Sequence, residues 1–459
     1  MEQITKPHCG ARLDRLPDCR WHSSMFAIVA FGLLVCWSNA VGGLILAQLK
    51  ALGWTDNSTT ATFSAITTAG MFLGALVGGI IGDKTGRRNA FILYEAIHIA
   101  SMVVGAFSPN MDFLIACRFV MGVGLGALLV TLFAGFTEYM PGRNRGTWSS
   151  RVSFIGNWSY PLCSLIAMGL TPLISAEWNW RVQLLIPAIL SLIATALAWR
   201  YFPESPRWLE SRGRYQEAEK VMRSIEEGVI RQTGKPLPPV VIADDGKAPQ
   251  AVPYSALLTG VLLKRVILGS CVLIAMNVVQ YTLINWLPTI YMTQGTNLKD
   301  SIVLNTMSMF GAPFGIFIAM LVMDKIPRKT MGVGLLILIA VLGYIYSLQT
   351  SMLLITLIGF FLITFVYMYV CYASAVYVPE IWPTEAKLRG SGLANAVGRI
   401  SGIAAPYAVA VLLSSYGVTG VFILLGAVSI VVAIAIATIG IETKGVSVES
   451  LSIDAVANK

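Results

Sequence analysis

The ionisable residues that stand within long apolar stretches of this 459-residue chain include Glu95, His98 and Arg118. Glu95 and His98 are three positions apart, so a helix would place both on one face. A carboxyl and an imidazole that lie together can take up and release a proton near neutral pH, and an arginine can pair with a carboxylate. Because ionisable groups in an apolar environment are costly and usually functional, these three residues are the first candidates for chemistry.

A second group of candidates consists of polar and aromatic side chains in other apolar stretches, where they could bind a small polar ligand. Together with Arg118, its members are Asn39, Asn157, Trp158, Gln280, Tyr281, Asn285, Trp286, Tyr372 and Asn395. For any one of them, joining two helices by a hydrogen bond is the alternative role. The group as a whole therefore indicates a binding region better than any single member does.

A third group consists of charged residues that recur at a nearly constant distance along the chain. In the first half they are Asp83, Arg87, Arg88, Glu138, Arg145 and Glu204, and in the second half they are Asp324, Arg328, Glu380, Arg389 and Glu442. Corresponding members of the two halves are 238 to 244 residues apart and keep the same order. A fixed period of this kind indicates a duplicated unit.

The apolar stretches that position these residues are long and numerous. The chain is 56% hydrophobic and only 12% charged, which places it outside the range of soluble domains. A helix needs about 18 to 20 apolar residues to cross a bilayer, and about twelve stretches of that kind are predicted. They lie near 24–49, 61–82, 89–107, 112–137, 149–173, 181–202, 265–292, 301–323, 330–348, 352–378, 391–414 and 417–440. The sequence therefore predicts an all-α membrane protein.

The distribution of Lys and Arg predicts the orientation of these spans. Of the 33 Lys and Arg residues, 28 fall on one side when loops are counted alternately, and Lys50, Arg181 and Lys299 fall on the other. Positive charge stays on the cytoplasmic side, so both termini are predicted to be cytoplasmic. The net charge of +9 is thus a signal of topology and does not indicate a nucleic-acid partner. The predicted segments are a tail at 1–23, a six-span bundle at 24–202, a helix and linker at 203–264, a second bundle at 265–440 and a tail at 441–459.

Several motifs resemble the major facilitator superfamily over essentially the whole chain. GIIGDKTGRR at 79–88 is similar to the loop motif of that superfamily between spans two and three. PESPRWL at 203–209, RFVMGVGLGA at 118–127 and ETKG at 442–445 resemble its sugar-porter branch, with the likeness being to bacterial inner-membrane metabolite transporters. The resemblance implies two pseudo-symmetric six-helix bundles around a midplane site that opens alternately to either side.

The resemblance also implies roles for the candidate groups. It makes the third group a cytoplasmic gate whose ion pairs hold the inner face closed in one state; fixing the topology is the alternative role of these charges. It makes the second group a substrate site for a sugar, sugar acid or organic acid. It makes Glu95, His98 and Arg118 candidates for coupling transport to protons, because Arg118 fits the arginine of span four in the family.

Two departures from the family pattern bear on substrate and coupling. Sugar porters carry a glutamine pair in span seven, which falls here on Ala275 and Met276, and proton-coupled members carry an aspartate in span one, which falls here on Ser38. Either Glu95 supplies the protonatable acid, or an anionic substrate pairs with Arg118. We therefore expect a proton-coupled symporter of a polar, sugar-like metabolite, with an uncoupled facilitator or an exchanger as the alternative.

Other function classes find little support in the sequence. Only three histidines are present, two of them in the first 23 residues, and no His-Glu-x-x-His, Gly-x-Ser-x-Gly or phosphate-loop element occurs. The seven cysteines form no Cys-x-x-Cys pair. The sequence thus predicts no enzyme, no cofactor and no metal, and a monomer whose partners are a small-molecule substrate, protons and the lipid bilayer. A membrane sensor derived from a transporter is a weaker alternative.

Overall fold

The computed structural model describes residues 7–17, 19–35, 37–140, 145–240, 253–323, 325–383 and 386–444, and these residues form helices and no strand. The helices before residue 260 are α1 (Cys9–Asp14), α2 (Arg20–Val35), α3 (Gly42–Ala51), α4 (Asn57–Thr85), α5 (Arg87–Ala106), α6 (Met111–Tyr139), α7 (Arg145–Asn157), α8 (Ser159–Leu170), α9 (Ala176–Tyr201), α10 (Pro206–Ser211), α11 (Tyr215–Thr233) and α12 (Tyr254–Leu257). Those that follow are α13 (Gly260–Thr293), α14 (Leu298–Met309), α15 (Gly311–Val322), α16 (Arg328–Ser347), α17 (Met352–Cys371), α18 (Val378–Glu380) and α19 (Lys387–Ile439).

Nine helical segments within the described ranges are long and apolar enough to cross a membrane. Predicted spans one and five correspond instead to pairs of shorter helices, α2 with α3 and α7 with α8. Spans eleven and twelve correspond to α19, which is kinked at Gly417, where φ is +64°. With these assignments the twelve predicted spans are accounted for, and the predicted all-α membrane fold is confirmed.

Proline and glycine explain where spans that were predicted as single helices are interrupted. Pro161 lies in the first turn of α8, and Pro313 lies in the first turn of α15. Because proline lacks an N–H group and clashes with the preceding turn, it is favoured in the first turn of a helix, and the breaks at Trp158 and at Phe310 agree with this preference. Pro187, Pro288 and Pro406 nevertheless lie inside continuous helices.

Span ten changes its helical form near its end. After α17, residues Tyr372–Tyr377 form one turn of π-helix, and α18 follows. The wider turn brings positions five apart into line, and the rings of Tyr372 and Tyr377 stack at a centroid distance of 5.0 Å. This turn could not be predicted from the sequence, because π-turns have no simple pattern of residue types.

The amphipathic helix that was predicted after span six is present as α11. Its apolar positions Ala218, Met222 and Ile225 are buried, and their spacing places them on one face. They pack with residues of α1 and α10 into an apolar cluster. The tail predicted at 1–23 therefore contains a short helix that packs against the segment after span six, and α2 begins at Arg20, earlier than predicted.

The described chain groups into two compact units by proximity. The first comprises residues 1–39, 70–159 and 184–246, and the second comprises residues 40–69, 160–183 and 247–459. The first unit has an apolar core between α2, α6, α7 and α9, built around residues such as Val29, Phe136 and Phe202. The predicted division into bundles at 24–202 and 265–440 stays a prediction.

Candidate functional site

A series of buried polar contacts links the three coupling candidates Glu95, His98 and Arg118 through a serine. The Arg118 guanidinium donates from Nη1 to the carbonyl oxygen of Ser38 at 2.7 Å. The Ser38 hydroxyl lies 2.7 Å from Nε2 of His98, and Nδ1 of His98 lies 3.5 Å from Oε2 of Glu95. All four side chains are at most 1% exposed. The structure thus brings Glu95, His98 and Arg118 into one network, which we call the buried polar chain.

Three elements of the first unit position the buried polar chain. Glu95 and His98 lie one turn apart on α5, Arg118 lies in the second turn of α6, and Ser38 lies in the turn between α2 and α3. A side-chain carbon at Gly124 of α6 would lie only 3.0 Å from the backbone nitrogen of His98. The glycine therefore allows α5 and α6 to approach closely and keeps the imidazole in place.

The carboxyl group of Glu95 has unused bonding capacity. Within the described part of the chain, its Oε1 atom is buried and has no hydrogen-bond partner. A buried polar atom without a partner is costly, so this oxygen is available to accept a further hydrogen bond.

The first-unit members of the predicted gate lie together at the ends of α4, α5, α6 and α9. Arg87 donates from Nε to Glu138 at 2.9 Å and from Nη1 to Asp83 at 2.7 Å. Glu204 accepts the backbone N–H groups of Arg87 at 2.7 Å and Arg88 at 3.2 Å, so it caps the start of α5. The chain reverses before α5 at Gly86, whose φ is +96°.

The second-unit members repeat this arrangement. Arg328 donates to both oxygens of Glu380, from Nε at 3.0 Å and from Nη2 at 3.1 Å. Glu442 accepts the backbone N–H groups of Arg328 at 2.8 Å and Lys329 at 3.1 Å. Burial raises the pKa of Glu442, but the three backbone donors, which include that of Lys444, outweigh it and lower the pKa. The duplicated spacing in the sequence therefore corresponds to duplicated contacts.

Four members of the predicted gate differ from expectation or lie outside the described residues. The resemblance implies that Arg87 and Arg88 can both reach Glu138, but the side chain of Arg88 donates to the carbonyl of Trp199 at 2.6 Å, because it leaves α5 on the side of α9. The guanidinium of Arg389 lies 5.2 Å from the ring centre of Tyr254. Asp324 and the side chain of Arg145 lie outside the described residues.

The residues of the predicted substrate site differ in accessibility. Asn285, Trp286 and Tyr372 are buried, at 4%, 0% and 0% exposure. The half-buried or exposed members are Asn39, Asn157, Trp158, Gln280, Tyr281 and Asn395. Two of these amides are used locally, since Asn157 and Asn395 donate to carbonyls of their own helices, Ser153 and Ser391. Their assignment to a substrate site stays a prediction.

Three polar residues that are buried in the structure are absent from the candidate groups predicted from the sequence. Ser38 entered only as a departure from the family pattern, although its hydroxyl joins two candidates. Gln48 and Asn305 are 1% and 3% exposed, and each is a carboxamide in an otherwise apolar stretch, which is the signal that could have found them.

No group of three or more His, Cys, Asp or Glu residues suited to a metal ion occurs within the described ranges. The buried polar chain also contains only one carboxyl and one imidazole besides the arginine. The arrangement can hold a proton or pair with an anion, and it lacks the ligand number of a metal site.

Comparison with known proteins shows the family of the chain. The sequence profile of the Major Facilitator Superfamily matches residues 25–406. Two relatives come from Escherichia coli (strain K12). The chain is 99% identical to YdjK, named for metabolite transport, over all of both chains. It is 44% identical to the inner membrane metabolite transport protein YdjE over 98% of this chain and 99% of that one.

A solved structure supports the same fold. The inward-open conformation of the xylose transporter XylE from Escherichia coli matches with a TM-score of 0.74. The match covers 94% of this chain and 99% of that chain at 16% identity. The chain therefore belongs to the Major Facilitator Superfamily, and it is a multi-pass membrane protein that works as a secondary active transporter of small solutes and not as an enzyme.

Proposed function

We propose that this protein is a proton-coupled symporter of a small polar metabolite, acting as a monomer in the bacterial inner membrane with both termini in the cytoplasm. The observation that carries the proposal is the buried polar chain, because it joins a carboxyl, an imidazole and an arginine inside the apolar part of the first unit. The name of YdjE supports the inner membrane as location and a metabolite as substrate.

Glu95 is the proton-binding group in this proposal. The aspartate that family resemblance would place at Ser38 is absent, and Glu95 is connected to that position through His98 at 3.5 Å and 2.7 Å. When Glu95 is protonated, the imidazole can remain neutral and hold the serine hydroxyl. When Glu95 releases its proton to the aqueous side, its carboxylate can accept the Nδ1–H group of the neutral imidazole, whose Nε2 accepts from the Ser38 hydroxyl. Because Arg118 donates to the carbonyl of the same serine, proton binding would be linked to the site of Arg118.

Arg118 is the residue through which substrate and proton would be linked. Its planar guanidinium suits a carboxylate, so sugar acids and organic acids are candidates beside neutral sugars such as the xylose for which XylE is named. A substrate carboxylate would compete with the Ser38 carbonyl for Nη1. This competition would connect substrate binding to the state of His98 and Glu95.

The gate contacts would serve the change between inward-open and outward-open states. Each pairs an arginine with a half-buried glutamate, and the net energy of such a pair is small while its geometry is specific. That combination suits contacts that form in one state and break in another. Their role is in exchange between states and not in holding the substrate.

The test is proton entry into proteoliposomes loaded with a pH-sensitive dye. Addition of D-gluconate, D-xylose or succinate should acidify the lumen when it is transported with a proton. Glu95→Gln should abolish acidification and retain exchange of labelled for unlabelled substrate, because exchange needs no net proton movement. Glu177→Gln, an exposed acid at the start of α9, is the matched control and should behave as wild type.

The same assay separates the alternatives. An uncoupled facilitator or exchanger would move substrate in wild type without acidifying the lumen. A sensor would bind substrate and move neither it nor protons. Proton entry in Glu95→Gln at the wild-type rate would contradict the assignment of Glu95.

A further inference from the structure

The last turn of α9 carries a cation between two exposed aromatic rings. Trp199 and Tyr201 are 62% and 60% exposed. The guanidinium of Arg200, which stands between them in the sequence, lies 5.7 Å from the centre of the Tyr201 ring. Exposed Trp and Tyr side chains at the end of a membrane-spanning helix are typical of the level of the lipid headgroups. The three residues therefore lie where a lipid phosphate can reach them.

The exposed face of α9 that leads to this turn is apolar. Ile189, Leu192, Ile193 and Leu197 are all exposed, and their spacing of three and four residues places them on one side of the helix. Arg200 follows Leu197 by three residues and Ile193 by seven, so it stands at the end of the same side. This side of α9 thus runs from apolar side chains, which suit an acyl chain, to a cation, which suits an anionic headgroup.

Arg88 of α5 brings a second cation to the end of α9. Its Nη2 donates to the main-chain carbonyl of Trp199 at 2.6 Å. That carbonyl cannot receive the usual helical donor, because Pro203, four residues further on, has no N–H group. The contact therefore has a cause in the sequence, and it holds the Arg88 guanidinium beside the residue that precedes Arg200.

Neither of these two guanidinium groups pairs with a carboxylate in the part of the chain that the structure describes. The Arg88 side chain has only its hydrogen bond to Trp199 there, and its Nε atom is buried without a partner. Glu204 accepts the main-chain N–H groups of Arg87 and Arg88, whereas the side chain of Arg87 is paired with two carboxylates. Two neighbouring cations without a counter-charge at the end of a membrane-spanning helix indicate an anionic ligand.

We propose that the end of α9 binds an anionic phospholipid, with Arg88 and Arg200 contacting its phosphate and an acyl chain lying along the exposed apolar side of the helix. Arginine suits this role because its planar fork can donate two parallel hydrogen bonds to phosphate oxygens. The rings of Trp199 and Tyr201 flank the headgroup at the level that amphipathic aromatic side chains prefer. The inference concerns the lipid-facing surface, so it is independent of the proposed symport.

Native mass spectrometry of the full-length protein, released from detergent micelles, counts the lipids that remain bound. The probes are phosphatidylglycerol, which is anionic, and phosphatidylcholine with the same acyl chains, which is zwitterionic. We expect wild type to retain phosphatidylglycerol in preference to phosphatidylcholine. Arg200→Gln and Arg88→Gln should each weaken the binding of phosphatidylglycerol by about fivefold, since each removes one cation beside an anionic headgroup.

Arg231→Gln is the matched control for the loss of charge. Arg231 is an exposed arginine in the last turn of α11, which is not among the helices that can cross the membrane, so its removal should leave lipid binding unchanged. Arg200→Lys keeps the charge and loses the planar fork, so it should bind phosphatidylglycerol more tightly than Arg200→Gln does. Inorganic phosphate and glycerol 3-phosphate test the source of the ligand. Because they lack an acyl chain, neither should displace bound phosphatidylglycerol at equal concentration.

Three results would overturn the proposal. Equal retention of the two lipids by wild type would mean that only acyl chains are bound. Retention of phosphatidylglycerol by Arg200→Gln as in wild type would mean that this charge acts in topology alone. Displacement of phosphatidylglycerol by inorganic phosphate would mean that the site binds a free anion. Arg200→Gln is the decisive variant, because the Arg88 side chain also caps α9, whereas that of Arg200 makes no hydrogen bond within the described residues.

Discussion

Arg328 donates to Glu380 from two guanidinium nitrogens, whereas Arg87 donates to Glu138 from one. Both oxygens of Glu380 accept from Arg328, at 3.0 and 3.1 Å, and Thr443 also donates to this carboxylate at 2.6 Å. Arg87 divides its guanidinium between Glu138 and Asp83, at 2.9 and 2.7 Å. A bidentate arginine–carboxylate pair is stronger and more specific in geometry than a single bond. The two halves of the duplicated gate are therefore unequal.

We expect Glu380→Gln to slow transport more than Glu138→Gln. The first variant loses a bidentate pair and the second loses one charge-assisted bond, each bond contributing about 1.5–3 kcal/mol. Because these contacts would act in exchange between states, the substrate dissociation constant should change by no more than a few-fold. Initial uptake rates and equilibrium binding of both variants, measured side by side, check this. A large loss of affinity with an unchanged maximal rate would contradict the gate assignment.

The hydroxyl of Ser38 should matter for proton coupling. Ser38→Ala removes the 2.7 Å contact with His98 and leaves the carbonyl that Arg118 binds. Loss of one buried hydrogen bond costs about 1–3 kcal/mol, so proton entry should slow roughly tenfold. Ser101→Ala is the control, since that hydroxyl lies on the same helix as His98 and donates to the main-chain carbonyl of His98. Equal proton entry in both variants would exclude a role for the Ser38 hydroxyl.

The contact between α1 and α11 should weaken in acid. Burial raises the pKa of Glu226, but hydrogen bonds from Arg12 and Arg15 outweigh it, and the pKa falls below its ordinary 4.5. The pKa of Glu219 is lowered in the same way by Arg12 and Arg223. A lowered pKa in the folded state contributes stability that is present above pH 4.5 and is lost as the pH falls through the lowered value.

Amide hydrogen exchange of residues 9–14 and 215–233, corrected for its intrinsic pH dependence, measures this contact. Protection should be constant near neutral pH and should fall below about pH 4.5. Glu226→Gln should reduce it at neutral pH by about 1–3 kcal/mol of opening free energy. Protection that is independent of pH down to 3 would contradict the ion-pair account.

Both termini and the α10–α11 segment should be cytoplasmic. The expectation follows from the 28 Lys and Arg residues that fall on one side of the predicted spans. Fusions of alkaline phosphatase and of a green fluorescent reporter after residue 233 and after residue 459 measure it. Active phosphatase at either point would place that point outside the cytoplasm and contradict the predicted topology.

The sequence predicted the repetition of the gate and missed the contacts that need the folded chain. The duplicated spacing indicated that corresponding charged residues belong together, and the contact of Arg87 with Glu138 does correspond to that of Arg328 with Glu380, since a repeated unit repeats its contacts. Glu95 and His98 could be found because charge is rare in an apolar span. The link through Ser38 could not, because it depends on a turn between α2 and α3 in a stretch that was predicted to be one helix.

The sequence also could not show which of two adjacent arginines pairs with Glu138. Arg87 and Arg88 are adjacent, and only their directions around α5 decide that one meets Glu138 and the other the carbonyl of Trp199. Gln48 and Asn305 were missed although each is a carboxamide in an otherwise apolar stretch. The sequence does not show that the folded chain buries them, at 1% and 3% exposure.

The packing of α1 on α11 has a consequence for the order of events during synthesis. Arg12 donates to Glu226 across a sequence separation of 214 residues. At about 5–20 residues per second, the N-terminal helix must wait roughly 10 to 40 seconds for its partner to leave the ribosome. Until then Leu13 and Leu16 lack the apolar partners that α11 supplies, so this contact can form only after the first half of the chain has been synthesised.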